Sequence, residues 1–151
     1  MSKERRGIVV FHCNWAGRHT LDEIGRRKAR YPTDVVPMQV SCLGRMHAGL
    51  VLKALEAGAV GVLMLGCPED ECRFGTDGAW VARVHAEAVQ LARLLGFQEE
   101  QVRLERVGPQ DRERVRRVLS ELADAASLLD SGGDGGAGLA SGDGGEGSAQ
   151  G

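Results

Sequence analysis

The sequence of 151 residues has no apolar run approaching the roughly 20 residues that span a bilayer. Its basic start, MSKERRGIVVFHC, contains only a short apolar stretch, and no small-residue cleavage site follows, so it fits a first strand better than a signal peptide. We therefore expect a cytoplasmic protein without a membrane segment. Thiols are normally reduced there, which favours metal binding or redox chemistry over structural disulfides for the cysteines.

The sequence also lacks a large excess of charge of one sign, since its formal net charge is −2. The three acids of residues 131–151 have no basic counterpart, and the remainder of the chain is close to neutral. This balance is unlike that of a nucleic-acid binder, and we expect no nucleic-acid partner. No Gly-x-Gly-x-x-Gly follows a candidate strand, so the sequence does not predict a nucleotide site.

Large apolar residues are almost missing from residues 131–151, where Leu139 is the only one. Such a Gly-rich segment cannot bury enough surface to offset its ordering entropy, and we predict a disordered tail. Residues 1–130 are assigned to one folded domain. Its composition, with 42% hydrophobic residues in the whole chain, is that of a globular protein.

Four short apolar or β-branched runs predict strands, at residues 7–12, 35–40, 60–65 and 102–107. The third is almost wholly apolar, as expected for a strand covered on both faces. Pro37 in the second and the alternation of the fourth suit edge positions. Helical spacing of apolar residues lies between and after the strands, at residues 17–30, 46–57, 79–95 and 109–129. This alternation predicts a small three-layer α/β domain, Rossmann-like or flavodoxin-like, with a four-stranded parallel sheet.

All four cysteines of the chain fall just after predicted strands. Cys13 follows the first, Cys42 the second, and both Cys67 and Cys72 the third. Ligands of open parallel sheets bind beyond the carboxyl ends of the strands, so the four thiols are expected to gather at one edge. Buried cysteines with a purely structural role have no reason to avoid strand interiors and helix faces.

Cysteine spacing leaves the chemistry of this site open. Zinc accepts four thiolates but usually takes two C-x2-C pairs, whereas Cys67 and Cys72 form a C-x4-C pair and Cys13 and Cys42 are single. A C-x4-C step occurs in plant-type [2Fe–2S] ferredoxins, and a metal-free redox dithiol is a third interpretation. A Rieske-like site with His12 and His47 is disfavoured, because His12 ends a strand with its side chain on the other face.

Three segments, FHCNWAG (11–17), VSCLGRM (40–46) and LGCPEDECRFGTDG (65–78), resemble the delta subunit of methyl-viologen-reducing hydrogenase. The resemblance runs from Ile8 to about Leu128. It implies a [2Fe–2S] cluster on cysteines and an electron relay between a hydrogenase or other dehydrogenase module and a flavin subunit of the heterodisulfide-reductase type. A relay without a substrate pocket is not expected to be catalytic alone. The alternative is a zinc-stabilised interaction domain without redox activity.

The family pattern reads Cys-Asn-Trp-Cys, and Ala16 stands at its second cysteine. Four thiols remain, the complement that a [2Fe–2S] cluster needs. If the missing cysteine is a ligand in the family, the site has to rearrange or to use another kind of ligand.

Residues beside the cysteines are candidates for tuning or covering the cluster. Arg45 lies in the matched segment and is expected to raise the cluster potential; Arg18 and Arg73 are weaker candidates for that effect. Gly44 and Gly66 allow close approach of the backbone. Trp15 is expected to cover the cluster or to meet a partner.

Overall fold

A computed structural model describes residues 6–26, 35–68, 71–72, 75, 77–108 and 110–132. Strands and helices alternate along this part of the chain, with β1 at Arg6–Cys13, α1 at Ala16–Arg26, β2 at Val35–Val40, α2 at Ala48–Glu56, β3 at Ala59–Gly66, α3 at Gly78–Leu94, β4 at Val102–Arg106 and α4 at Arg112–Gly132. Short 3-10 helices precede α2 and β4, at Leu43–Arg45 and Glu99–Gln101.

The four strands form one parallel sheet in the order β2-β1-β3-β4, which confirms the predicted α/β class and sheet. β3 is buried along its length except at Val60, as a strand covered on both faces should be. β2 and β4 lie at the two edges, as Pro37 and the alternation of the fourth run predicted. In the register of the sheet, Pro37 is level with Val10 of β1.

Two apolar cores lie on opposite faces of the sheet and make the fold three-layered. α2 and α3 pack against one face, where the core includes Val51, Val84 and Met64. α1 and α4 pack against the other, where it includes Ile24, Leu119 and Leu63. The alternating side chains of the central strands supply both cores.

Local signals define the helix ends. α3 begins after Asp77, whose carboxylate accepts from the Ala79 N–H at 2.9 Å, and Gly96 with φ of 91° follows its end. Gly58, with φ of 105°, follows α2 in the same way. α4 extends to Gly132, two residues beyond the predicted end of the domain, and the rest of the predicted tail, 133–151, lies outside the described residues.

Candidate metal centre

The first two thiols meet at the carboxyl end of the central strands. Cys13 is the last residue of β1, and Cys67 is the first residue after β3. Their Sγ atoms are 3.4 Å apart, although the residues are 54 positions apart in the sequence. Two thiolates on one tetrahedral metal ion with bonds of about 2.3 Å lie about 3.8 Å apart. The spacing is therefore close to that of two ligands of one ion.

The other two thiols form a second pair at the same edge. Cys42 lies two residues after β2 and precedes the 3-10 helix Leu43–Arg45, whose Gly44 N–H donates to the Cys42 sulfur at 3.4 Å. The Cys42 and Cys72 Sγ atoms are 3.7 Å apart. The structure thus brings together the four cysteines that the sequence predicted would meet.

One cavity, of about 30 Å³, is lined by all four cysteines. Its walls come from the ends of β3 and β4, the 3-10 helix and the start of α3, and they also include Leu43, Gly66, Pro68, Gly78, Val81, Leu104 and Arg106. Gly66 has no room for a side chain, because a Cβ there would lie 2.6 Å from Leu43 Cδ1. Gly66 therefore packs tightly against Leu43, and its close approach to a cluster stays a prediction.

The N-terminus of α1 points at the first thiol pair. The Gly17 N–H donates to the Cys13 sulfur at 3.4 Å, and the Ala16 N–H donates to the Cys67 sulfur. Gly17 is needed for this approach, since a Cβ there would lie 2.8 Å from the Leu65 carbonyl oxygen. The residue that replaces the family's second cysteine therefore contributes its main chain to the site.

The thiol of Cys67 holds its proton tightly. Its pKa is raised to about 11, first by burial and then by the neighbouring Cys13 and Cys72, and the Ala16 N–H opposes this rise. A metal cation would replace this proton and offset the repulsion among the thiolates.

The residues predicted to tune or cover a cluster differ in their exposure to solvent. Trp15 and Arg45 are exposed and do not line it; Gly44 is half-buried. A second tryptophan, Trp80 in the first turn of α3, donates from Nε1 to the Gly44 carbonyl at 3.3 Å. Arg73 lies outside the described residues.

The two histidine candidates do not join the thiols. His12 Nδ1 lies 3.1 Å from the Cys13 carbonyl oxygen, and its side chain lines a separate cavity with Leu21. His47 is exposed at the start of α2. Within the described ranges, no three or more His, Cys, Asp or Glu side chains meet where a single metal ion would sit. The sulfurs are arranged as two close pairs.

Residues 8–129 match the family model for the methyl-viologen-reducing hydrogenase, delta subunit. The match covers both thiol pairs and all eight main elements, apart from the first residues of β1 and the last residues of α4. The chain belongs to this family. This confirms the resemblance seen in the three cysteine segments.

Two of the proteins similar to this chain are of nearly its own length, and a third is much longer. The chain is 30% identical to the iron-sulfur subunit of the vhc F420-non-reducing hydrogenase of Methanococcus voltae over 81% of this chain and 85% of the relative. Identity to the corresponding iron-sulfur subunit of the F420-non-reducing hydrogenase of Archaeoglobus profundus is also 30%, over 81% of this chain and 90% of the relative.

A larger relative is a subunit of the ferredoxin/F420H2-dependent CoB-CoM heterodisulfide reductase of Methanosarcina acetivorans, which is 30% identical over 76% of this chain. The matching segment is only 14% of that relative, so this chain spans a small part of its length. Among the described helices, none is both long and apolar enough to cross a membrane.

Three residues of the site were not among the candidates predicted from the sequence. Arg106 lines the cavity, Gly17 allows α1 to pack closely against the sheet, and the Trp80 indole N–H donates to the Gly44 carbonyl oxygen. Arg106 is the next-to-last residue of the predicted strand 102–107, and this position near a strand end was a usable signal. The contacts of Gly17 and Trp80 depend on tertiary packing.

Proposed function

We propose that this protein is an electron-transfer subunit that carries a [2Fe–2S] cluster on Cys13, Cys42, Cys67 and Cys72. It relays electrons between a hydrogenase or other dehydrogenase module and a flavin subunit of the heterodisulfide-reductase type. The observation that carries the proposal is the arrangement of the thiols as two pairs, with Sγ distances of 3.4 Å and 3.7 Å, around one cavity.

Two pairs suit a centre with two irons, since each iron of a [2Fe–2S] cluster takes two cysteine thiolates. On this interpretation, Cys13 and Cys67 share one iron, and Cys42 and Cys72 share the other. A single zinc ion would draw all four sulfurs to one point. The four sulfurs form two close pairs instead, which supports a binuclear centre.

The electrostatics of the cavity also suit an anionic cluster. The first turn of α1 directs the Ala16 and Gly17 N–H groups at two of the thiols, and Gly44 donates to a third. The start of α3 lines the cavity at Gly78. Helix N-termini and N–H donors stabilise negative charge on sulfur, which raises the reduction potential of a cluster.

The relatives support the kind of partner. Two of them are named iron-sulfur subunits of hydrogenases, and another is named as part of a heterodisulfide reductase, in a subunit of which the matching segment is a small portion. A domain found both as a separate hydrogenase subunit and within a heterodisulfide reductase subunit is suited to pass electrons between two such enzymes.

The test is anaerobic purification of the full chain, followed by iron and zinc analysis, a visible spectrum and EPR of the reduced protein. We expect about two irons per chain, broad visible absorption and a reduced-state EPR signal, the properties of a [2Fe–2S] centre. Each Cys→Ala variant should lose most of its iron, while Ser41→Ala, an exposed neighbour of Cys42, should keep it.

A colourless protein with one zinc per chain would overturn the proposal in favour of the zinc-stabilised interaction domain. A Cys→Ala variant with full iron and an unchanged EPR signal would remove that cysteine from the ligand set.

A further inference from the structure

We infer that the charge of Arg106 raises the reduction potential of the centre. The inference rests on the proposed function, because it concerns the same four thiols. β4, which has no cysteine at or just after its end, then contributes a charged side chain to the wall of the site.

The sheet register places Arg106 beside the cysteines. Arg106 pairs with Gly66, the residue before Cys67, and the Val107 N–H donates to the Gly66 carbonyl oxygen at 2.9 Å. The side chain of Arg106 lines the cavity with all four cysteines, as does Leu104, two positions earlier on the same strand. This placement depends on main-chain pairing of neighbouring strands and is therefore rigid.

A hydrogen bond holds the guanidinium of Arg106 in place. Its Nη2 atom donates to the Gly78 carbonyl oxygen at 2.7 Å, at the first residue of α3. Gly78 lines the same cavity. The side chain therefore spans from the end of β4 to the start of α3, two segments that both line the cavity.

Arg106 is better placed than Arg45 to act on the centre. Arg106 is half-buried and lines the cavity, whereas Arg45 is exposed and does not. A charge in a partly buried position is screened less by water and salt than one at the surface.

The expected consequence is an electrostatic one. Reduction adds one negative charge to the centre, and a fixed neighbouring cation favours the reduced form. Removing the charge of Arg106 should lower the equilibrium constant for reduction by at least about tenfold, which for one electron is a shift of about 59 mV to lower potential.

The experiment compares Arg106→Gln, Arg106→Lys and the matched control Arg103→Gln in the iron-loaded full chain. Arg103 lies on the same strand but pairs with Glu121 of α4 at 3.1 Å, on the other face of the sheet. Iron content, the visible spectrum and the midpoint potential from an EPR-monitored titration are measured for each. We expect the lower potential in Arg106→Gln, a potential near that of wild type in Arg106→Lys, and no comparable shift in Arg103→Gln.

An unchanged potential in Arg106→Gln at full iron content would overturn the inference while leaving the proposed function intact. If Arg106→Gln loses iron, recovery of iron and spectrum in Arg106→Lys supports a role of charge, and loss in both variants overturns it. A wild-type chain without iron would instead overturn the proposed function.

Discussion

Cys67 has a special position among the four thiols because it lies between two cavities. It lines the small cysteine cavity and also an outer groove formed with Trp15, Ala16 and Pro68. Electron transfer weakens steeply with distance, so a thiol that borders an outer groove is well placed to contact a redox partner. The groove gives a partner access to this thiol without opening the inner cavity.

The protonation of Cys67 gives a prediction for the iron-free protein. Since its pKa is raised to about 11, against about 8.5 for an ordinary thiol, Cys67 should remain a neutral thiol well above pH 9. The folded state then favours the protonated thiol over the thiolate. The stabilisation of the folded chain by this protonated thiol is fully present below about pH 8.5 and is lost as the pH rises through about 11.

The measurement is the rate of alkylation of the Cys67 peptide against pH, followed by mass spectrometry. Half-maximal reactivity is expected near pH 11 in the folded iron-free chain. The same peptide in the urea-unfolded chain is the control, with half-maximal reactivity at about pH 8.5. Equal midpoints in the two states would contradict the effect of burial.

The identity of the thiols could be predicted from sequence, but their pairing could not. Strand ends at Cys13, Cys42 and Cys67 follow from apolar runs of the right length, and parallel strands place such ends together. Which cysteines pair depends on the order of the strands and on side-chain rotamers. In the structure Cys13 meets Cys67, and Cys42 meets Cys72. Arg106 belongs to the site for the same reason, since only the β3–β4 register places it beside Gly66.

At the level of elements, the fit of α1 against the sheet positions the first thiol pair. Gly17 is buried where a Cβ would lie 2.8 Å from the Leu65 carbonyl oxygen and 3.0 Å from His12 Cβ. Gly17→Ala must push α1 away from the sheet, and we expect a loss of about 1–3 kcal/mol in the free energy of unfolding. The shift also lengthens the contact of the Gly17 N–H with Cys13, so iron should be lost faster to a chelator.

Gly25→Ala is the matched control on the same helix, since no atom lies within 4 Å of a Cβ built there. This exchange should raise the free energy of unfolding by about 0.5–1 kcal/mol, because alanine favours the helix. Urea unfolding at matched iron content and the rate of iron loss are the two measurements. Equal stability of the two variants would show that α1 does not need this close approach.

The sequence predicted which segments form helices and which form strands, but it predicted the residues at which they begin and end less well. Each of the eight main elements matches a predicted run, because apolar periodicity and terminal glycines are local signals. The 3-10 helix Leu43–Arg45 was missed, and α2 begins at Ala48 rather than at residue 46. There the Cys42 sulfur accepts from the Gly44 N–H, which gives the backbone an alternative to helical hydrogen bonds.

For the whole molecule, the edge of the sheet that bears the cysteines is also the expected docking face for the flavin subunit. Both tryptophans of the chain are exposed on segments that border the site, Trp15 at 42% and Trp80 at 49%. Tryptophan and arginine are typical anchors of interfaces. Arg45→Glu combined with Trp15→Ala should weaken binding of the partner by tenfold or more and slow its electron transfer, with full iron retained.

The control for docking is Arg93→Glu, at the far end of α3. This helix has 17 residues, so its C-terminal end lies about 25 Å from the cysteine edge. Affinity and single-turnover reduction by the partner are measured for both proteins. Unchanged affinity and rate in the double variant would place the docking face elsewhere.

The division of the chain into a domain and a tail stays a prediction. The family match ends at residue 129, close to the predicted boundary at 130. The composition of 131–151 predicts that these residues contribute nothing to the centre. The cytoplasmic location likewise rests on the sequence.

The two thiol pairs have a topological consequence. The segments between Cys13 and Cys67 and between Cys42 and Cys72, with separations of 54 and 30 residues, overlap along the chain. A centre bonded to all four sulfurs would close two overlapping loops, and a covalent closure of either length restricts the unfolded chain by about 4 kcal/mol. Loss of the centre would remove these closures, so the iron-free chain should unfold more readily, and the metal would stabilise the sheet as well as carry electrons.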